Sequence, residues 1–279
     1  MVLPRVAVLS LGGTISATKD GGPSGGAGVA PALTGEQLVE MVPEISAIAE
    51  VEAVQFRKVA GSELTLDDAV SLAREAENRP EAEGLVVTQG TDSIEEMAFA
   101  LDLLLDREAP VVVTGAMRNP TVPGADGPAN LLAAVRVAAG EEARGLGTVV
   151  VMNEEIHAAR FVRKAHTQNP AAFSSAPAGP VGYLYEGSPR VVVRPAGGRR
   201  IDLARDTGHH PVALYKVAFG DDGRLLSEVG RLGYKGLVVE AMGGGHLPAS
   251  MVGTVEQLAG RMPVVLASRT GGGEVIKQT

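Results

Sequence analysis

No cysteine and no tryptophan occur among the 279 residues, and aromatic side chains make up only 3% of them. Without cysteine there is no disulfide, no thiolate nucleophile and no cysteine-ligated zinc. Without aromatics the core must be built from Val, Leu, Ile and Ala, and single-stranded nucleic acids lose their usual stacking platforms. Positive charge is also short, with 25 Lys and Arg against 33 Asp and Glu, a net −8. Neutralising phosphates needs basic patches, so nucleic acid is disfavoured as the main ligand. Long apolar runs are missing too. None approaches transmembrane length, and the opening MVLPRVAVLSLGG reads as a first strand entering a glycine turn rather than as a signal peptide. The cytoplasm is therefore the expected location. Five scattered histidines show no metal-site spacing, so neither a metal nor a cofactor is expected.

What is present is a globular chain, 45% hydrophobic, in which short apolar runs alternate with segments of helical period. Strands are expected at 5–11, 84–89, 109–114 and 147–153, with helices at 65–78, 92–105 and 126–139. In the 65–78 helix, Thr65 is the N-cap and Asp68 its reciprocal partner. This rhythm predicts a doubly wound, mostly parallel sheet covered on both faces. Residues 1–190 form the large N-terminal α/β domain. A segment rich in Pro, Gly and charge, 191–211, reads as a linker. Residues 212–279 form a smaller C-terminal α/β domain with strands at 212–219, 236–242 and 263–268 and helices at 222–232 and 249–261. The pattern calls for a covering helix after its last strand, so its last elements are expected to be lacking.

In open α/β sheets ligands bind beyond the carboxyl ends of the strands. Four successive ends here carry glycine with Thr, Ser or Asp: GGT (Gly12–Thr14), AGSELTL (Ala60–Leu66), TQGTDSIEE (Thr88–Glu96) and TGAMRNPTVPGADGPAN (Thr114–Asn130). Glycines let main chain approach a ligand, and their N–H groups can bind an anion or oxyanion. Hydroxyls and a carboxylate at the same rim suit a small polar substrate. Taken singly, Gly12–Gly13 is a tight turn, and Asp92, Ser93 and Asp126 are helix caps. LGGTIS is neither GxGxxG nor a P-loop. The segment MNEEIHAARFVRKAHT reads by itself as a solvated charged surface. A lysine buried at such a strand end would instead be able to act as a base.

Together these stretches resemble the bacterial-type L-asparaginase and glutaminase-asparaginase family. GGTIS is similar to its first active-site signature and VVTQGTDSIEEMAFAL to its second, and the stretch 112–135 is similar to the family segment that follows. The resemblance implies an amidohydrolase converting L-asparagine to L-aspartate and ammonia, with glutamine a weaker substrate. It implies Thr14 as the nucleophile attacking the side-chain amide, and Thr91, Asp92 and Lys164 as a second catalytic group in which Lys164 polarises Thr91. Asp92 would also accept the substrate's α-ammonium, Ser62 and Glu63 would hold its α-end, and the main chain of Ala116 would contact the leaving amide. Glu274 matches an acidic residue donated to a neighbouring subunit's site, within a homotetramer.

The stretch Ala17–Val29, with five glycines between Gly21 and Gly28, is expected to be a lid that closes over substrate. Family lids often carry a tyrosine, and this one has none. The base for Thr14 therefore stays open between water, Lys164 acting through Thr91, and another residue. Where the family has an asparagine in its C-terminal domain this chain reads MGGGHLP, and His246 is the residue that can take part of that role. Two alternatives remain. One is an asparaginase-like subunit of a tRNA-dependent amidotransferase, disfavoured because only 13 residues precede Thr14. The other is a non-catalytic α/β sensor that binds an amino acid at the same rim.

Overall fold

The computed structural model describes residues 2–18, 30–198, 200–202 and 210–278. The chain divides into two compact units, Met1–Leu203 and Ala204–Thr279.

The first unit is built on an eight-stranded sheet. Its strands are β1 (Arg5–Gly12), β2 (Glu50–Val59), β3 (Gly84–Thr88), β4 (Val111–Thr114), β5 (Thr148–Met152), β6 (Glu155–Ala158), β7 (Gly182–Tyr185) and β8 (Ser188–Val191). They lie in the order β8-β7-β6-β5-β4-β3-β1-β2. From β2 to β5 every neighbouring pair is parallel, whereas β6, β7 and β8 are added antiparallel. The sheet is thus the expected doubly wound one with an antiparallel margin. That margin falls within 155–191, where β6 lies in the charged segment and β7 and β8 form a short hairpin beyond it, none of them announced by a long apolar run.

Every residue of β3, β4 and β5 is buried, as continuous Val-rich runs require when both faces of a sheet are covered. On one face Val6, Val8, Val86 and Val112 pack with Leu38 of α1 (Gly35–Glu40) and with Leu131, Ala134 and Val135 of α4 (Gly127–Ala139). On the other face Ala7, Leu9, Leu85 and Val87 pack with Leu72 of α2 (Leu66–Glu77) and with Met97 and Leu101 of α3 (Ile94–Leu104). The sequence-predicted capping box is present, with Thr65 Oγ1 accepting from Asp68 N and Asp68 accepting from Thr65 N.

The sheet order places β1 between β2 and β3. The chain leaves β1 to one side for β2 and crosses to the other side for β3. The carboxyl ends of β1 and β3 therefore flank the topological switch point, where doubly wound sheets open a crevice.

The second unit has a three-stranded parallel sheet, β9 (Val212–Lys216), β10 (Gly236–Ala241) and β11 (Val264–Ser268), in the order β9-β10-β11. Its helices are α5 (Arg224–Glu228) and α6 (Ala249–Ala259). The helix expected over 222–232 is shorter than its apolar spacing suggests. Asp222 instead accepts from Arg224 N, and Gly223 enters the helix with φ +75°, so the segment spends its first residues in a turn. The helix ends before Gly230 and Gly233, the latter also at positive φ.

Candidate active site

Gly13 carries Thr14, the first of the sequence-predicted site residues, into place. It has φ +80° and ψ −171°, and its N–H bonds to Val59 O at the end of β2. A Cβ there would overlap the main chain of Gly90. Only glycine meets both demands, and the next residue, Thr14, opens a short 3-10 turn, Thr14–Ser16, with its side chain partly exposed at the strand end.

Gly90 is packed on its other side by Gly61. A Cβ on Gly90 would stand 2.6 Å from Gly61 N, and one on Gly61 would stand 2.8 Å from Gly90 O. Three strand ends thus touch main chain to main chain, and the residues just after these glycines are Thr14, Ser62 and Thr91. Gly115 extends the cluster, since a Cβ there would lie 2.7 Å from Gln89 O and 3.2 Å from the Thr91 methyl. Ala116, fully buried, follows it.

Thr91 and Asp92 sit in a 3-10 turn, Thr91–Ser93, between β3 and α3. Thr91 is buried, whereas the Asp92 side chain is 69% exposed. Lys164 arrives from 72 residues further along the chain than Asp92 and links the two. Its Nζ lies 2.9 Å from Thr91 Oγ1 and 2.7 Å from Asp92 Oδ1. The Lys164 side chain is only 18% exposed, so its ammonium is largely covered while the Asp92 end of the pair stays open to water. Two features hold the lysine in place: an antiparallel pairing of Arg163–Lys164 with Phe173–Ser174, and a bond from Lys164 N to the Glu95 carboxylate at the start of α3.

The capping readings of the sequence give way here. Asp92 pairs with lysine rather than with a helix N–H. Ser93 does occupy the N-cap position of α3 but makes no side-chain cap bond, and its Oγ donates instead to Gly61 O at 2.7 Å. Asp126 likewise does not cap α4. Its carboxylate accepts from Met117 N at 3.0 Å and Arg118 N at 2.8 Å, and Asn130 Nδ2 bonds to both Asp126 and Gly115 O. Asp126 and Asn130 therefore brace the loop that presents Ala116, a task the helix pattern does not reveal.

Seven of the eight residues singled out in the sequence lie in the first unit, on loops that converge at the switch point or, for Lys164, bonded to one of them. The eighth, Glu274, is on the exposed surface of the second unit, after Gly273 with φ +81°. His246 also lies in the second unit, where its main chain bridges to Met242. The lid stretch falls largely at 19–29, outside the described residues. Among the described residues no group of His, Asp and Glu is placed to hold a metal ion, and no helix is long and apolar enough to cross a membrane. Sequence reasoning missed Gln89, Glu95 and Asn130. The signal available for Gln89 was an amide side chain at the end of an otherwise apolar buried strand.

A doubly wound sheet whose switch point brings the Thr14 loop against the turn of Thr91 and Asp92, with Lys164 bonded to both of the latter, has the arrangement in which α/β enzymes place their sites. Residues 5–196 match the family model described as "Asparaginase, N-terminal", and residues 211–279 match "Glutaminase/Asparaginase C-terminal domain". The chain belongs to the asparaginase family. It is 34% identical over 285 residues to "Probable L-asparaginase 4" of Schizosaccharomyces pombe, covering 98% of this chain and 79% of that protein. It is 33% identical over 276 residues to "Probable L-asparaginase periplasmic" of Haemophilus influenzae, covering 95% and 77%. Its fold matches the crystal structure of "Probable Cytoplasmic L-asparaginase" from Campylobacter jejuni with TM-score 0.91 and 30% identity, covering 99% of this chain and 87% of that one.

Proposed function

We propose that this asparaginase-family enzyme hydrolyses L-asparagine to L-aspartate and ammonia, with Thr14 as nucleophile and an acyl-enzyme on its oxygen. The observation that carries the reading is the bond pair from Lys164 Nζ to Thr91 Oγ1 and Asp92 Oδ1, on a turn whose Gly90 packs directly against Gly13.

A threonine hydroxyl is a weak nucleophile until a base takes its proton. In the proposed first step Thr14 Oγ1 attacks the amide carbon and its proton passes to the leaving nitrogen, which departs as ammonia. Water then attacks the ester, and L-aspartate leaves with Thr14 restored. Thr91, fixed by the lysine, handles the proton that water gives up. Asp92 gives Oδ1 to Lys164 and keeps an exposed side chain, which supports its second role as acceptor for the substrate's α-ammonium. Ser62 and Glu63, exposed beside it, hold the α-end, and the main chain of Ala116 contacts the leaving amide. Glu274 completes the site of a neighbouring subunit in a homotetramer, and glutamine is a weaker substrate. The cytoplasm is the proposed location, in keeping with the name of the Campylobacter protein.

An ammonia-coupled assay on L-asparagine tests the reading. Thr14→Ala should fall to background. Thr91→Val and Lys164→Met should each lose about 10²–10⁴-fold in kcat, the range for removing a positioned proton-transfer group. Near-normal turnover in Thr14→Ala would overturn the nucleophile, and no ammonia from the unmodified protein would favour the sensor reading. Light scattering of the purified enzyme checks the tetramer: a fully active monomer would refute a Glu274 shared between subunits.

A further inference from the structure

We infer that Ser93 is a positioning residue for the substrate's α-end. Its hydroxyl, oriented by Gln89, sets the loop that carries Ser62 and Glu63 against the turn that carries Thr91 and Asp92. The inference rests on the substrate reading of those two pairs.

Gly61 and Gly90 meet main chain to main chain, without side chains that could key their relative position. Van der Waals contact between two glycine backbones is non-directional, so the register of the two loops needs a directional bond. Ser93 supplies one, its Oγ donating to Gly61 O at 2.7 Å across 32 residues of sequence. The bond comes at a local sacrifice. Ser93 stands at the N-cap of α3, where a serine side chain ordinarily accepts from the first-turn N–H groups, and it makes no such bond.

The direction of the hydroxyl is set from behind. Gln89 is fully buried, and its Nε2 donates to Ser93 Oγ at 3.3 Å and to Gly90 O at 3.3 Å. The carbonyl of Gly90 requires the amide nitrogen on that side. Ser93 Oγ therefore accepts from Gln89 and points its own proton at Gly61 O. The Gln89 Oε1 left on the other side has no hydrogen-bond partner among the described residues. A buried amide kept with an unsatisfied oxygen is a costly device for a plain helix start. It becomes intelligible when the relay Gln89–Ser93–Gly61 keeps two halves of a binding site in register.

The test compares Ser93→Thr, which keeps the hydroxyl, with Ser93→Val, which has the same shape without it. Ser93→Ala serves as a second hydroxyl-free variant should valine prevent folding, and thermal melting confirms that each is folded. KM and kcat are measured for L-asparagine, and Ki for L-aspartate, which carries both α-substituents. The valine and alanine variants should raise KM and Ki together by about tenfold, the scale of one neutral hydrogen bond. Their kcat should stay within about threefold, and Ser93→Thr should stay near the unmodified enzyme. A fall in kcat with KM and Ki unchanged would overturn the inference, because Ser93 would then serve the Thr91 turn alone. Ser62→Ala is run in parallel. If it leaves KM unchanged, the substrate reading of this loop and the inference fall together. If it raises KM while Ser93→Val matches Ser93→Thr, the inference alone falls.

Discussion

His157, on β6, is 1% exposed, with Nδ1 2.9 Å from Ser175 Oγ and Nε2 3.2 Å from the carboxylate of the partly exposed Glu155. Burial holds its imidazole neutral, with the pKa lowered from 6.5 to about 4. The unfolded chain therefore binds a proton that the folded chain refuses between those two values. Stability from this group is complete above about pH 6.5 and is lost as pH falls toward 4, about 3 kcal/mol in all. Glu155, whose pKa is raised by burial, works in the opposite sense at the acid end. His157→Gln should flatten the fall of melting temperature between pH 6.5 and 4, as scanning calorimetry would record. An unchanged acid limb would show that other groups carry it. At this scale the glycine-marked strand ends that carry Thr14, Thr91 and Asp92 were legible, whereas the roles proposed for those residues came from the family resemblance. Lys164 was reached only through family resemblance. The partners of its ammonium lie more than 70 residues away, and its own neighbourhood reads as ordinary charged surface.

Among the elements, α2 shows how a distant side chain finishes a helix. Arg107 donates to Ala76 O at 2.6 Å, Ala82 O at 2.7 Å and Arg79 O at 3.3 Å, satisfying carbonyls at and beyond the helix end. A cation there also meets the negative end of the helix dipole. Burial lowers the Arg107 pKa, yet the guanidinium stays charged at any ordinary pH. Arg107→Met should cost about 1.5–3 kcal/mol, the range for charged hydrogen bonds, measurable by urea unfolding. At the site, Gly13→Ala should cost at least about 2 kcal/mol, from the positive φ and the overlap with Gly90, and should remove activity with it. Recovery of full activity in that variant would show that the strand ends need not touch. Helices α2, α3, α4 and α6 and strands β1, β3, β4 and β5 were legible because the 3.6-residue and continuous apolar patterns are local, whereas α1 and β2 were not named and α5 was drawn too long. The antiparallel margin, β6 to β8, was not legible, since four-residue strands with mixed polarity leave no period to read.

For the whole molecule, the two units differ in how much core each owns. The first buries two large aliphatic clusters, one on each face of its sheet. Among the described residues of the second, the core cluster holds seven buried hydrophobic side chains, with Val212, Leu214, Phe219, Leu225, Leu232 and Val265 exposed. Small cores bury a smaller share of their chain and are correspondingly marginal. Hydrogen exchange should therefore open β9, β10 and β11 well before β1, β3 and β4, and the difference should widen at low denaturant. Equal protection in the two sheets would contradict this ranking.

The sequence by itself determined the alternation of strand and helix, the two-part division of the chain and the glycine-marked strand ends that precede Thr14 and Thr91. Each of these depends on a pattern held within about ten residues: an apolar run, a cap or a glycine pair. Only the tertiary structure decided that Gly13, Gly61 and Gly90 pack main chain to main chain, that Lys164 bridges Thr91 and Asp92, and that Ser93 bonds to Gly61 rather than capping α3. Those partners are separated by tens of residues, and a hydrogen bond between distant segments leaves no periodic trace along the chain.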